Sequence, residues 1–115
     1  MIDFACKQFD INQVIKCGLG LTKSDLKVLE LLLKNSADSF TTEDIAKELN
    51  LDLSTVQRAV KKLHEKDVIE RHQQNFDVGG YAFIYEIKNK NHVRQVISDI
   101  IQGWSDKVKS ELKRL

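Results

Sequence analysis

The feature that most constrains this chain is a pair of amphipathic helical patterns separated by only three residues. The first pattern covers about 42–49, where Ile45 and Leu49 share one apolar face. The second covers about 53–66, and the tight connection Asn50-Leu51-Asp52 joins the two. Short helices linked this closely must place their apolar faces against one shared core.

The second helical pattern has two chemically different faces. Its inner face is predicted to be apolar, with spacings of three and four residues: Leu53, Val56, Val60 and Leu63. Its outer face carries hydrogen-bond donors and cations: Ser54, Thr55, Gln57, Arg58, Lys61 and Lys62. No carboxylate lies between 54 and 64, although the chain has 18 basic and 17 acidic residues and a net charge of +1. One face can therefore dock on the domain while the other offers donors to base edges and phosphates.

Capping residues predict where the preceding helices begin. Thr22 is a good N-cap for a Leu-rich helix over about 23–34. Thr41 or Thr42 caps the helix over 42–49, and acidic residues follow in its first turn. The absence of proline agrees with a chain built mainly from helices and short turns.

Two strands are predicted after the second pattern of the pair. The first covers about 68–72, and the second, which is aromatic and β-branched, covers about 81–87. Gly79-Gly80 indicates a turn before the second strand. Because a two-stranded hairpin is marginally stable alone, it must lean on the helices.

The two ends of the chain are predicted to be helical. Residues 2–17 mix apolar and polar positions and suit one or two short helices, interrupted by a turn at Asp10 and Asn12. Residues 90–115 form one long helix, along which large apolar side chains step by three and four: Val93, Ile97, Ile101, Trp104, Val108 and Leu112 or Leu115. The N-terminal segment is expected to pack beside this helix.

The apolar seam of the long helix predicts an interface. Such a seam is an exposed patch unless something covers it, and a small domain offers little surface for about 36 Å of helix. We therefore expect a homodimer, with its interface formed by Ile97, Ile101, Trp104 and Val108. The alternative is that the helix folds back on its own domain.

Several stretches of sequence resemble archaeal TrmB-like and MarR-like regulators. They are Gly18-Leu19-Gly20-Leu21-Thr22-Lys23-Ser24-Asp25, the segment 42–49 followed by 54–63, the segment 66–71, and Gly79-Gly80-Tyr81. The resemblance covers about 18–88 and implies a winged helix-turn-helix, a mainly α fold with a small β-hairpin. The chain is then a single domain over 1–115, with an N-terminal helical segment (1–17), a core (18–88) and a C-terminal dimerisation helix (89–115).

In this fold the second helix of the pair enters the major groove. The predicted function is therefore that of a transcription regulator that binds double-stranded DNA in a sequence-specific way as a homodimer. The residues expected to contact DNA are Thr42, Ser54, Thr55, Gln57, Arg58, Lys61, Lys62 and Arg71.

The sequence departs from the family pattern at two places. Asp67 stands where the family usually has glycine, and aspartate tolerates the left-handed conformation moderately well. The tip of the hairpin, 73–80, has no Arg or Lys and carries Asp77, so Arg71 and His72 at its base are the nearest substitutes for a basic contact.

Two other interpretations stay open. The near-neutral charge and the uncharged tip also suit a winged helix used as a protein-interaction module in a transcription or chromosome assembly. Cys6 and Cys17 are not spaced as the close pair of a zinc knuckle, and the three histidines are scattered, so a thiol- or metal-responsive regulator would need the fold to bring these residues together. The simpler interpretation makes both cysteines small apolar side chains in a dimer core.

Other function classes are disfavoured. The sequence has no phosphate-cradling glycine loop, nucleophile elbow or HExxH motif, so we expect no enzyme, no catalytic residue, no metal site and no cofactor. No apolar run approaches a membrane span, and the first residues lack the pattern of a signal peptide. The expected location is the cytoplasm; the sequence does not specify a small-molecule effector.

Overall fold

A computed structural model of the chain describes residues 1–5 and 7–115. Within these residues the elements are, in chain order, β1 (Ile2–Phe4), β2 (Lys7–Phe9), α1 (Ile11–Leu19), α2 (Lys23–Lys34), α3 (Thr42–Leu49), α4 (Leu53–Glu65), β3 (Ile69–Asn75), β4 (Tyr81–Ile87) and α5 (Lys90–Leu112). The described part is elongated, with dimensions of 65 × 24 × 23 Å. None of these helices combines the length and apolarity that crossing a bilayer requires.

Reciprocal caps fix the starts of α2 and α3. Thr22 Oγ1 accepts a hydrogen bond from the Asp25 backbone N–H at 3.1 Å, and Asp25 Oδ2 accepts one from the Thr22 N–H at 2.9 Å. Thr41 and Asp44 repeat this arrangement, with both distances 3.1 Å. The predicted bounds of both helices are confirmed. At each start, the capping box satisfies two backbone donors that a helix N-terminus would otherwise leave free.

The core lies between α2, α3 and α4, and the β3–β4 hairpin leans on it as predicted. The buried apolar side chains are Leu19, Leu21, Val28, Leu29, Leu32, Ile45, Val56, Ala59, Val60, Leu63, Val68, Ile69, Tyr85, Ile87 and Val93. One predicted core residue is wrong, since Leu53 is 40% exposed and Ala59 is buried instead. Leu53 lies in the first turn, at the edge of the face that α4 presents to the core.

The β3–β4 hairpin is joined to the helical part of the domain through β4. Its antiparallel register runs from Ile69↔Ile87 to Asn75↔Tyr81, so β3 continues beyond the predicted end at residue 72. On the other edge of β4, the Phe40 N–H donates to the Tyr85 carbonyl at 2.9 Å and the Tyr85 N–H donates to the Phe40 carbonyl at 2.7 Å. This bridge joins the hairpin to the segment just before α3.

The prediction of helix over residues 2–17 is wrong in its first half. Ile2–Phe4 and Lys7–Phe9 pair as the antiparallel strands β1 and β2, with register Ile2↔Phe9, and α1 begins only after them. Asp10 does not interrupt a helix; it is the N-cap of α1, and its carboxylate accepts from the Asn12 N–H at 3.2 Å. Asp10 has extended backbone angles, as N-cap residues do, so the helix begins after it and does not continue back into the preceding strands.

The two halves of α5 have different surroundings. In its first half Val93, Val96, Ile97 and Ile100 pack against the core of the same domain. A Cβ built on Gly18 of α1 would lie 3.7 Å from Ile100 Cγ2, so α1 packs beside α5 as predicted. Ile97 therefore packs against the core of its own domain, so the prediction that it lies on an uncovered apolar seam is wrong. The second half of α5 extends away from the core.

Candidate nucleic-acid interface

The outward face of α4 carries the predicted base-reading side chains. Ser54, Gln57, Arg58 and Lys61 are exposed, and Thr55 is half-buried between them. The Arg58 guanidinium lies near its neighbour in the preceding turn, with Nη2 at 3.5 Å from Thr55 Oγ1. This long contact leaves most of the five N–H donors of Arg58 available to a ligand. The face therefore offers donors and positive charge at one side of a packed helix.

Lys62 differs from the rest of the predicted set because it has partners inside the chain. Its Nζ lies 3.2 Å from Asp25 Oδ2 and donates to the Gly20 carbonyl at 3.3 Å. The side chain thus reaches back from α4 to the start of α2. Lys62 joins the helix-turn-helix to the element that supports it, and its ammonium is already charge-paired.

The carboxylate that receives Lys62 is almost completely buried. Asp25 is 5% exposed, and burial on its own raises a carboxyl pKa. The backbone N–H of Thr22 and the Lys62 ammonium both donate to this carboxylate, and together they outweigh burial, so the pKa of Asp25 is lowered. Asp25 is therefore an ionised group that serves both as a helix cap and as the anchor of Lys62.

A shallow groove lies between α4 and the start of β3. It has a volume of about 360 Å³ and is lined by Val60, Lys61, His64, Glu65, Arg71 and Tyr85. The groove brings together Lys61 and Arg71, two predicted DNA contacts from different elements. It also adds His64, which is not among the residues predicted to contact DNA. His64 follows Lys61 by three residues, which places both on one side of a helix, and this spacing could have indicated it.

Arg71 is held in place at the base of the hairpin. Its guanidinium carbon lies 4.5 Å from the centre of the Phe83 ring, a cation–π arrangement. In the register of the hairpin Arg71 faces Tyr85, which also lines the groove. A guanidinium stacked in this way has fewer conformations to lose when it binds an anion.

The tip of the hairpin is apolar and acidic rather than basic. Phe76 is exposed, Val78 is 98% exposed, and Asp77 lies between them. Tyr81, the first residue of β4, is also exposed and packs edge-on against Phe83 with ring centres 5.5 Å apart. The tip thus offers no cation for a phosphate, and Arg71 is the nearest arginine along β3.

Thr42 lies at the first position of α3, half-buried. Its hydroxyl donates to the Glu43 carboxylate at 3.3 Å. This position at a helix N-terminus is one where hydroxyl and backbone N–H groups can meet a phosphate.

Asp67 makes the turn that leaves α4. Its φ of 65° is in the left-handed region, as expected for a residue at the glycine position of the family. The carboxylate accepts from Lys88 Nζ at 2.7 Å and lies 2.9 Å from His92 Nε2. The hydrogen bond from Lys88 lowers the pKa of Asp67, and the hydrogen bond with His92 lowers it further. In turn, the hydrogen bond to Asp67 raises the pKa of Lys88. An aspartate here therefore links the end of α4 to the start of α5.

An apolar stripe is exposed on the second half of α5. It consists of Ile101, Trp104, Val108 and Leu112, and Trp104 is 63% exposed. Ile2 and Phe4 of the N-terminal hairpin are exposed as well. Cys17 is exposed and unbridged, while the prediction made for Cys6 lies outside the described residues.

These elements define a winged helix-turn-helix protein, as the sequence predicts. A tight connection joins α3 to the donor-rich helix α4, and the β3–β4 hairpin leans on the core. The chain belongs to the family described as the DnaD N-terminal domain, whose model matches residues 9–108.

Several known proteins are similar to this chain in sequence or in fold. An uncharacterized protein of Methanocaldococcus jannaschii, MJ1503, is 32% identical over 96% of this chain and 82% of its own length. A solved structure from Methanosarcina mazei Go1, described as a "possible transcriptional regulator", is 52% identical, with a TM-score of 0.92 over 99% of this chain and 95% of that one. A point mutant of S. aureus MepR, solved bound to an oligodeoxyribonucleotide, shares the fold at 17% identity, with a TM-score of 0.58 over 91% of this chain and 73% of its own. The resemblance to winged-helix regulators is confirmed.

Proposed function

We propose that this chain is a transcription regulator that binds double-stranded DNA sequence-specifically as a homodimer. The observation that carries the proposal is the outward face of α4, where Ser54, Gln57, Arg58 and Lys61 are exposed on a helix without a carboxylate from 54 to 64. A major groove about 12 Å wide admits one such helix. Arginine pairs bidentately with guanine and glutamine with adenine, so both residue types suit base reading.

The proposed contacts divide into base-reading and backbone-binding groups. Ser54, Thr55, Gln57 and Arg58 lie in the first half of α4, the half that reaches base edges in this motif. Lys61 and Arg71 meet at the groove beside α4 and are assigned to phosphates. Thr42 at the start of α3 is assigned to a further phosphate.

Lys62 remains in the proposed contact set with a changed role. Its ammonium is bound to Asp25, so it contributes mainly by holding α4 against α2. Because the Lys62 ammonium is already paired with Asp25, a contact between Lys62 and DNA should be weaker than the contact expected from Lys61.

The homodimer is proposed from the exposed stripe of α5. Four large apolar side chains in solvent along one helix face are an interaction surface in a small protein. Two copies related by a two-fold axis would cover the stripe with itself, with Ile101, Trp104 and Val108 at the centre. The axis would set two recognition helices about 34 Å apart, one turn of DNA, and require a pseudo-palindromic site.

The second candidate function is a protein-interaction module. The specific observation in its favour is the hairpin tip, which exposes Phe76, Val78 and Tyr81 and lacks a cation. Such a tip suits an apolar partner better than a phosphate backbone.

A selection experiment separates the two candidates. The parent chain is mixed with random-sequence duplexes, and bound molecules are recovered and sequenced over several rounds. The proposal predicts enrichment of a site with two inverted half-sites centred about 10 base pairs apart. A lack of enrichment at low salt would favour the protein-interaction module.

A further inference from the structure

Three potential metal ligands meet on one face of the β3–β4 hairpin, at its base. Glu70 and Glu86 are directly opposite each other in the register, and His72 follows Glu70 by two residues, on the same face. His72 Nε2 lies 2.9 Å from Glu86 Oε1 and 3.3 Å from Glu70 Oε2. One ligand atom from each residue lies within 4.8 Å of the other two.

From this geometry we propose that Glu70, His72 and Glu86 bind one divalent transition-metal ion, and that the bound ion strengthens DNA binding. The effect on DNA binding rests on the proposed function, whereas metal binding itself does not. One imidazole nitrogen and two carboxylates are the mixed donor set that suits Zn²⁺, Mn²⁺ or Fe²⁺. Three protein ligands leave positions for water or for a further ligand.

The charges of the site favour a cation. Like charges placed directly opposite on neighbouring strands destabilise a hairpin, and Glu70 and Glu86 are such a pair. With a neutral imidazole the three side chains carry two negative charges, which a divalent ion balances. Glu86 is the least exposed of the three, with 29% of its side chain accessible.

A fourth side chain supports the site from outside. Ser39 Oγ donates to Glu86 Oε2 at 3.1 Å, which leaves Glu86 Oε1 directed to His72. Hydrogen bonds of this kind orient metal-binding carboxylates and raise affinity. Ser39 precedes Phe40, whose backbone is bonded to Tyr85 next to Glu86, so the site lies where the hairpin joins the segment before α3.

The position of the site gives a physical route to DNA binding. Arg71 lies between Glu70 and His72 in sequence, and its side chain is on the opposite face, at the groove beside α4. An ion that ties β3 to β4 at this point restricts the backbone that carries Arg71. A hairpin ordered before it meets DNA loses less entropy on binding, so the metal-bound protein should bind duplex more tightly.

Metal binding is tested by titrating the full chain with Zn²⁺ in a calorimeter, without DNA. We expect one ion per chain, and loss of at least about tenfold in affinity for His72→Ala and for Glu86→Gln. His92→Ala is the matched control, because His92 pairs with the single carboxylate of Asp67. All variants keep both cysteines, so any thiol site is common to them. Retained affinity in both His72→Ala and Glu86→Gln, or no binding by the parent at micromolar Zn²⁺, would overturn the site.

Coupling to DNA is measured separately on the duplex recovered by selection. The parent should bind it roughly tenfold more tightly with Zn²⁺ than with a chelator, in the usual range of coupling between sites, and His72→Ala should show no difference. Zn²⁺ binding with unchanged duplex affinity would overturn the coupling and keep the site. If selection recovers no duplex, the proposed function fails while the calorimetric result still stands.

Discussion

Lys62 Nζ lies 3.2 Å from Asp25 Oδ2, which ties the recognition helix α4 to the first turn of α2. The same carboxylate caps α2 by accepting from the Thr22 N–H. The buried carboxylate of Asp25 thus caps the start of α2 and also holds α4 against α2 through Lys62. A side chain that the sequence assigns to DNA is in the structure a part of the scaffold behind the face that we propose binds DNA.

The first prediction is that Lys62→Met lowers the free energy of unfolding by more than it weakens the free energy of DNA binding. Removing the ammonium leaves a nearly buried carboxylate with only its cap bonds, which costs about 1–2 kcal/mol in the free energy of unfolding. Urea denaturation followed by circular dichroism gives this value. Lys61→Met is the matched control, since Lys61 is exposed on the same helix, and it should change stability by less than about 0.5 kcal/mol.

The second prediction concerns acid. The pKa of Asp25 in the folded chain is below its ordinary value of 3.8, so the folded state favours the ionised form. The stabilisation from this group is fully present above the unfolded pKa and is lost as pH falls through the folded pKa. As the pH is lowered from neutral through the ordinary carboxyl range, the parent should therefore lose more unfolding free energy than Asp25→Asn does. Equal losses would show that another carboxylate controls the acid response.

The third prediction concerns the stripe on α5. Trp104→Glu would place an unpaired charge in the proposed interface, which costs several kcal/mol. The variant should sediment as a monomer, keep its helical circular dichroism, and bind duplex far more weakly because each half-site is engaged alone. Ser110→Glu adds the same charge on an exposed position away from the stripe and should remain dimeric. A parent chain that sediments as a monomer at tens of micromolar would contradict the dimer and the half-site spacing.

The fourth prediction concerns base reading by Arg58. If its exposed guanidinium pairs with one base, Arg58→Ala should cost about 1–3 kcal/mol and relax the preference at one position of each half-site. Repeating the selection with the variant shows which position changes. An unchanged consensus sequence would remove Arg58 from the base-reading set.

Local sequence patterns predicted the elements that are fixed by their own residues. The capping boxes of Thr22 and Thr41 and the aromatic strand at 81–87 fall within this group, because each depends on neighbours within a few positions. The pairing of β1 with β2 was missed because each strand is only three residues long, too short to show a period.

Contacts between residues that are far apart in sequence could not be predicted from these local patterns. Periodicity places Lys62 on the outer face of α4, but only the fold shows that Asp25 is within its reach. Likewise Ile97 continues the apolar seam in sequence, while the packing of α1 and the core divides that seam into a covered and an exposed half. The triad at the hairpin base needed the strand register, which the turn residues alone do not fix.

DNA binding by α4 and the groove beside it is the main activity proposed for this chain. Its most direct test is fluorescence anisotropy of the parent chain with the selected duplex and with a shuffled duplex, across a series of salt concentrations. Two phosphate-binding cations per subunit, Lys61 and Arg71, predict a slope of about −4 for log K against log salt in a dimer. The selected duplex should bind at least about 10³-fold more tightly than the shuffled one. Equal affinity for the two duplexes would contradict sequence-specific binding by α4, and a lack of salt dependence would contradict the phosphate contacts of Lys61 and Arg71.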